Sequence, residues 1–182
     1  MTRIIAGDFR GRRLDVPKGR DVRPTTDRMR ERLFSMLMHH RYPAIEGARV
    51  ADLFAGTGAL GLEALSRGAA HITFVEQARP SLDALRSNIQ SLKAEGSTKV
   101  ISGSATRLPK QGEAFDFVFM DPPYRQDLIH PTLQSLGSQG WLKADSILVC
   151  EMASGETFDL PDGFEMVDDR TQGQQRIVIL SA

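Results

Sequence analysis

Two short loops carry the residues best suited to chemistry: Asp52-Leu53-Phe54-Ala55-Gly56-Thr57-Gly58 and Asp121-Pro122-Pro123-Tyr124. Each follows an apolar run, Val50–Leu53 for the first and Phe115–Met120 for the second. Gly56 and Gly58 can take positive φ and let a ligand approach the backbone closely. A helix starting behind them offers unpaired N–H groups and the positive end of its dipole. No Lys-Ser or Lys-Thr pair follows the glycines, as a phosphate loop requires. Asp52 stands before them instead, with a carboxylate for an ammonium group or its water. Phe54, Ala55 and Thr57 complete the expected cofactor loop. Glu76, at the end of the next apolar run, can accept both hydroxyl hydrogens of a ribose. These features suit adenosine better than a free phosphate, and on their own they also fit NAD.

The second loop narrows the chemistry. Pro122 and Pro123 have fixed φ and restrict the residues before them. That stiffness suits a slot in which the Asp121 carboxylate and the Pro122 carbonyl accept the two hydrogens of a planar amine. Pro123 and Tyr124 would contact the base, with Tyr124 stacking on it and excluding water. The amine lone pair would then face an electrophilic methyl in line with its sulfonium leaving group. The gains are alignment and stabilisation of developing positive charge. Deprotonation is easier after transfer than before, so no strong base is needed, although Asp121 can relay the proton. Asp121, Pro122 and Tyr124 form the expected catalytic set and S-adenosylmethionine the expected cofactor. A DNA adenine-N6 or protein-glutamine methyltransferase could use the same slot. A non-enzymatic RNA-binding protein is the alternative of a different class. A nicotinamide oxidoreductase would leave Asp-Pro-Pro-Tyr without a hydride-transfer role.

Both loops need a sheet to hold them. From Arg49 onward strand and helix patterns alternate: strands at 50–53, 72–75, 99–102, 115–120 and 147–150, and helices near 59–66, 80–94 and 128–136. Residues 164–167 and 176–180 read as a closing hairpin. The expectation is an α/β fold: an open, Rossmann-like, mostly parallel sheet with an antiparallel final strand and helices on both faces. Ahead of it, residues 1–24 read as a basic β-hairpin or arm, with a methyltransferase domain over 25–182. Thr25-Thr26-Asp27 supply caps for a helix to about His39, whose apolar positions are Met29, Leu33, Met36 and Leu37.

Charge is segregated along the chain. Residues 1–49 hold 12 Arg or Lys against 6 Asp or Glu, whereas the remainder holds 11 against 17, so a formally neutral chain divides into +6 and −6. A basic arm beside an acidic domain suits a phosphate backbone. The single cysteine, Cys150, forms no internal disulfide, so a reducing cytoplasm is the simplest location. The opening residues lack a secretory pattern, and no apolar stretch nears the roughly 20 residues that cross a bilayer. His39 and His40 are adjacent and His71 and His130 isolated, so no metal is expected.

The whole pattern resembles the RsmD family of bacterial small-subunit ribosomal RNA guanine-N2 methyltransferases. The resemblance is carried by Arg3-Ile4-Ile5-Ala6-Gly7, Gly11-Arg12-Arg13-Leu14, Arg23-Pro24-Thr25 and Arg30-Glu31-Arg32-Leu33-Phe34, then by the run from Asp52 to Ala69. Glu76, Asn88 and Asp121–Tyr124 occupy the other expected places. The resemblance implies methylation of the guanine 2-amino group at position 966 of 16S rRNA, within an assembled or assembling 30S subunit. It makes Arg12, Arg13, Arg23, Thr25 and Arg30 the candidates for substrate contact, the arginines pairing with RNA or positioning the arm. Ser104 stands where the family often carries an acid for the adenine amino group. The last strand is entered through Thr171-Gln172-Gly173-Gln174-Gln175 rather than a Tyr-Gly-like pair. No membrane is implied, and a monomer is the expectation.

Overall fold

The structure is a computed structural model, and it describes residues 2–17, 27–39 and 41–182. Arg23 and Thr25, the Thr25–Thr26 caps, the end of the expected arm and His40 lie outside the described residues. Strands β1 (Thr2–Arg3) and β2 (Arg13–Leu14) pair antiparallel into a small ribbon. Helix α1 (Asp27–Leu37) follows, burying Met29, Leu33, Phe34 and Leu37 at helical spacing. The sheet then begins with β3 (Arg49–Leu53), α2 (Ala59–Ser66), β4 (His71–Glu76), α3 (Arg79–Ser91) and β5 (Thr98–Ser102). It continues through β6 (Phe115–Met120), α4 (Ile129–Ser138), β7 (Leu142–Ala153), β8 (Glu165–Gln172) and β9 (Gln175–Ser181).

The seven strands lie in the order β5-β4-β3-β6-β7-β9-β8, parallel from β5 to β7, with β9 antiparallel to both β7 and β8. The expected mostly parallel sheet with an antiparallel close is therefore present. Strand alternation divides the core. Val50, Phe74, Phe117, Phe119 and Val149 meet α1, α2 and α3 on one face, while Leu53, Val118, Met120, Leu148 and Cys150 meet α4 and Trp141 on the other. Strand β7 runs past its apolar core at both ends. β7 starts at Leu142 and bulges over 143–146, where the Ser146 hydroxyl accepts from the Lys143 N–H and donates to carbonyl oxygen. At its other end β7 continues through Glu151-Met152-Ala153, because β9 pairs with those residues. The β8–β9 turn has Gly173 at φ 60°, with Gln174 on the ordinary side, as a two-residue type II′ hairpin requires.

The progression of strands across the sheet reverses between β3 and β6, which are direct neighbours in register Leu53↔Met120. The two loops picked out by their residue types leave the carboxyl ends of these strands side by side. That crevice is where open α/β sheets take their ligands.

Candidate active site

A cavity of about 650 Å³ opens over the carboxyl ends of β3, β4 and β6, within the roughly 300–1,000 Å³ range of small-molecule sites. Its walls include Asp52, Phe54, Ala55, Gly56 and Thr57 from the first loop, Glu76 from β4, Ser104 after β5, and the full Asp121–Tyr124 turn after β6. Thus two loops about seventy residues apart in sequence share one chamber. Gly58 stands just behind it as the N-cap of α2, at φ 82°, where an added Cβ would run into the Leu85 side chain. Phe54 has φ 58°, a left-handed conformation that is rare for an aromatic residue. Strain of this kind collects where a loop must present its backbone to a ligand.

The loop is held from several sides. The Glu76 carboxylate accepts from Gly56 N–H at 2.8 Å with one oxygen, and from Gln77 and Ala78 N–H at 2.8 and 2.7 Å with the other. Those bonds fix its plane and leave acceptor capacity for ligand hydroxyls. Asp52, 2% exposed, accepts from Gly61 N–H at 2.8 Å and so ties the strand end to the first turn of α2. Burial pushes its carboxyl well above the usual range, the Gly61 bond pulls it back, and the charges of Asp121 and then Glu76 add to the rise. Ser104 Oγ lies 2.9 Å from Thr106 Oγ1 and accepts from Thr106 N–H at 3.3 Å.

At the other end of the chamber, the Tyr124 hydroxyl donates to Glu151 Oε1 at 2.9 Å, and Gln175 Nε2 donates to the same oxygen at 3.1 Å. Burial, followed by the Glu151 charge, raises the phenol above its ordinary range. The ring is therefore a neutral, oriented wall. Asp52, Glu76, Asp121 and Glu151 surround the chamber with carboxylates. Such a site favours a cationic ligand, and a sulfonium cofactor is one.

The arginines divide. Arg30, expected to touch RNA or to position the arm, does the second: its side chain is only 1% exposed, and Nη2 donates to the Arg3 carbonyl and to Asp27 at 2.9 Å. It reaches the chamber from inside the wall. Burial lowers its pKa, with Asp27 and then Glu63 pulling it back. Arg12 is on the exposed surface and donates to the Ser91 carbonyl at 2.6 Å, a bond that holds the ribbon to α3. Arg13 is exposed on β2. Neither Arg12 nor Arg13 lines the chamber.

Residues 2–181 match the profile of a family described as Conserved hypothetical protein 95. The chain belongs to that family. This Conserved hypothetical protein 95 member is 44% identical over 149 residues to Ribosomal RNA small subunit methyltransferase D of Escherichia coli (strain K12), a match covering 82% of the chain and 73% of that protein. It is 37% identical over 175 residues to the protein of the same name from Haemophilus influenzae, covering 94% and 89%. Among solved structures, a putative methyltransferase yhhF from Escherichia coli superposes with a TM-score of 0.85 at 36% identity, over 99% of this chain and 97% of that one. With the sheet order and the shared chamber, these likenesses make this family member a Rossmann-fold, S-adenosylmethionine-dependent methyltransferase.

Residue type alone does not single out two polar residues of the chamber wall, Glu151 and Gln175, or the acid Glu63 behind it. Glu151 and Gln175 reach Tyr124 because β7 and β9 pair as Ala153↔Gln175, a juxtaposition that local spacing does not reveal. Glu63 is wholly buried on α2, where it accepts from Ile5 and Ala6 N–H at 2.8 and 3.1 Å and from Arg67 Nε at 2.8 Å. Its signal is visible: a lone acid inside the apolar helix Ala59–Ser66 must find donors. Among the described residues, no His, Cys, Asp and Glu grouping is arranged to hold a metal ion, and no helix is long and apolar enough to cross a membrane.

Proposed function

We propose that this protein transfers the methyl group of S-adenosylmethionine to the exocyclic N2 amine of guanine 966 in 16S rRNA, acting on the assembled or assembling 30S subunit. One observation carries the reading: the Asp121–Tyr124 turn and the glycine loop face one chamber from adjacent strands. Asp52–Thr57 would hold the cofactor, with Glu76 for its ribose hydroxyls and Ser104 for its adenine amino group, and it would supply an electrophilic methyl. Guanine enters from the Tyr124 side, stacks on the ring, and gives its two amino hydrogens to Asp121 and the Pro122 carbonyl. The lone pair left on nitrogen would face the methyl carbon, the new N–C bond forming as the C–S bond breaks. Sulfur would leave neutral, and the cationic amine would lose its proton to water, with Asp121 able to relay it. Positioning and charge stabilisation supply the acceleration.

The choice of small-subunit rRNA is supported by the names of the relatives from Escherichia coli and Haemophilus influenzae and by the basic start of the chain. Arg12, Arg13 and Arg23 of the arm, with Thr25 just after it, are the residues proposed to meet RNA. The protein acts as a monomer in the cytoplasm. The test is transfer of radiolabelled methyl to unmodified 30S particles, free 16S RNA and duplex DNA in parallel. The particle should be labelled preferentially. Labelling of DNA alone would move the substrate to an adenine amine, the second reading of the same slot.

A further inference from the structure

The ribbon and its flanking turns do more than lie against the sheet. Ile4 and Leu14 are buried in the core, and Thr2 and Val16 form part of the chamber wall. Besides the bond from Arg30 on α1, the arm is fastened to α2 and to α3. On α2, Glu63 takes the N–H groups of Ile5 and Ala6, while Ser66 accepts from Phe9 with its hydroxyl and from Asp8 with its carbonyl. The backbone approach is close enough that a Cβ at Gly7, φ 81°, would collide with the Ser66 carbonyl.

On α3 a buried fastening point is Asn88, which is 1% exposed. Its Oδ1 accepts from Asp15 N–H at 2.7 Å, and its Nδ2 donates to the carbonyls of Asp15 at 3.1 Å and Thr57 at 3.0 Å. One N–H and two C=O groups fix the orientation of the amide, because a flipped side chain would face like with like. Thr57 lies between the two glycines of the cofactor loop. A single buried amide therefore joins the arm backbone to the loop backbone, and neither end of that link is a side chain that touches the ligand.

We propose that Asn88 is a positioning residue that builds the arm into the cofactor site, so that RNA held on the arm and the cofactor strengthen each other's binding. RNA that grips exposed Arg10, Arg12 and Arg13 holds Asp15 in place, and Asn88 transmits this to the Thr57 carbonyl. A cofactor that orders the loop acts in the opposite direction by the same factor, as linkage requires. The RNA half of this proposal rests on the function proposed above.

The test measures the Kd of S-adenosylhomocysteine alone and with saturating unmodified 30S particles, for wild type, Asn88→Ala and Asp15→Pro, the last removing the N–H given to Asn88. Particles should tighten wild-type binding at least about fivefold, within the usual range for coupled sites. Both variants should bind the nucleoside alone about tenfold more weakly, as loss of roughly one well-made hydrogen bond implies. The tightening by particles should fall below about twofold in both. A purely structural Asn88 would lower the melting temperature yet keep the wild-type tightening ratio, and that result would overturn the proposal. So would a wild type that methylates particles but shows no tightening. If wild type neither binds nor methylates particles, the substrate reading fails separately. The Asn88 link then stands or falls on S-adenosylhomocysteine alone, and wild-type affinity in Asp15→Pro would end it.

Discussion

Glu63→Ala should be among the most damaging substitutions outside the chamber, and its cost can be worked out from the hydrogen bonds. The carboxylate has no exposed side-chain surface and receives two backbone N–H groups of the arm plus the Arg67 guanidinium. Arg67 in turn lies over the Phe34 ring, 4.8 Å from its centroid, so the same acid connects α2 to α1. Removing one partner of a buried ion pair costs about 3–5 kcal/mol. Stranding two backbone donors costs roughly 1–3 kcal/mol each. These overlap, because the arm can detach and let water reach Ile5 and Ala6, so about 4 kcal/mol is the expected loss. At roughly 2–4 °C per kcal/mol for a chain of this size, melting should fall by about 8–16 °C. Glu63→Gln should fall between, since an amide oxygen in the place of Oε1 can keep the Ala6 N–H and Arg67 Nε while its NH₂ opposes the Ile5 N–H. Urea unfolding gives the energy, and trypsin cleavage at Arg10 and Arg12 reports detachment of the arm. A loss below about 1 kcal/mol, the scale of an exposed pair, would refute the reasoning. A full loss with unchanged arm cleavage would place the worth of Glu63 in Arg67 alone.

Three further outcomes follow from the chamber. Asp121→Ala should lower the single-turnover methylation rate by about 10²–10³, the usual scale for losing one aligned polar group, while changing S-adenosylhomocysteine affinity little; equal single-turnover rates would remove Asp121 from the chemistry. Tyr124→Phe should keep the shape of the pH–rate profile. The raised phenol stays protonated through its ordinary value near 10, so its hydrogen bond is lost only as pH rises past that elevated point, and a high-pH limb abolished in the variant would contradict this. Asp52 is also raised, so the folded state holds its proton more tightly than the unfolded chain does, and stability drains as pH climbs from about 4 to its folded value. Asp52→Asn keeps an oxygen for Gly61 and should flatten that slope, raising stability at neutral pH relative to wild type while weakening cofactor binding. If the urea stability of the Asp52→Asn variant, relative to wild type, were lower at pH 7 than at pH 4.5, the sign would be reversed.

Much of this fold was written in local pattern. α2 and β6 begin and end where apolar spacing and the flanking glycines or prolines place them, and the mostly parallel sheet follows from alternating strands and helices. What spacing could not supply was pairing across the sheet. The approach of Glu151 and Gln175 to Tyr124 depends on β9 returning antiparallel beside β7, and the bulge at 143–146 depends on Ser146 closing its own turn. Asn88 was placed by resemblance without a task, because its three partners sit in two segments 31 and 73 residues away. Arg30 is different. Its spacing to Leu33, Phe34 and Leu37 puts it on the apolar stripe of α1, so its burial was legible; the weight of neighbouring arginines obscured it.

The atom that receives the methyl group defines the reaction. The most direct measurement is digestion of methylated 30S particles to nucleosides, mass spectrometry of the product, and mapping of the modified position. N2-methylguanosine at position 966 is the expected product, formed by wild type and nearly absent with Asp121→Ala. A methyl group on a ring nitrogen, on ribose or on an adenine amine would contradict it, however tightly the protein bound S-adenosylmethionine.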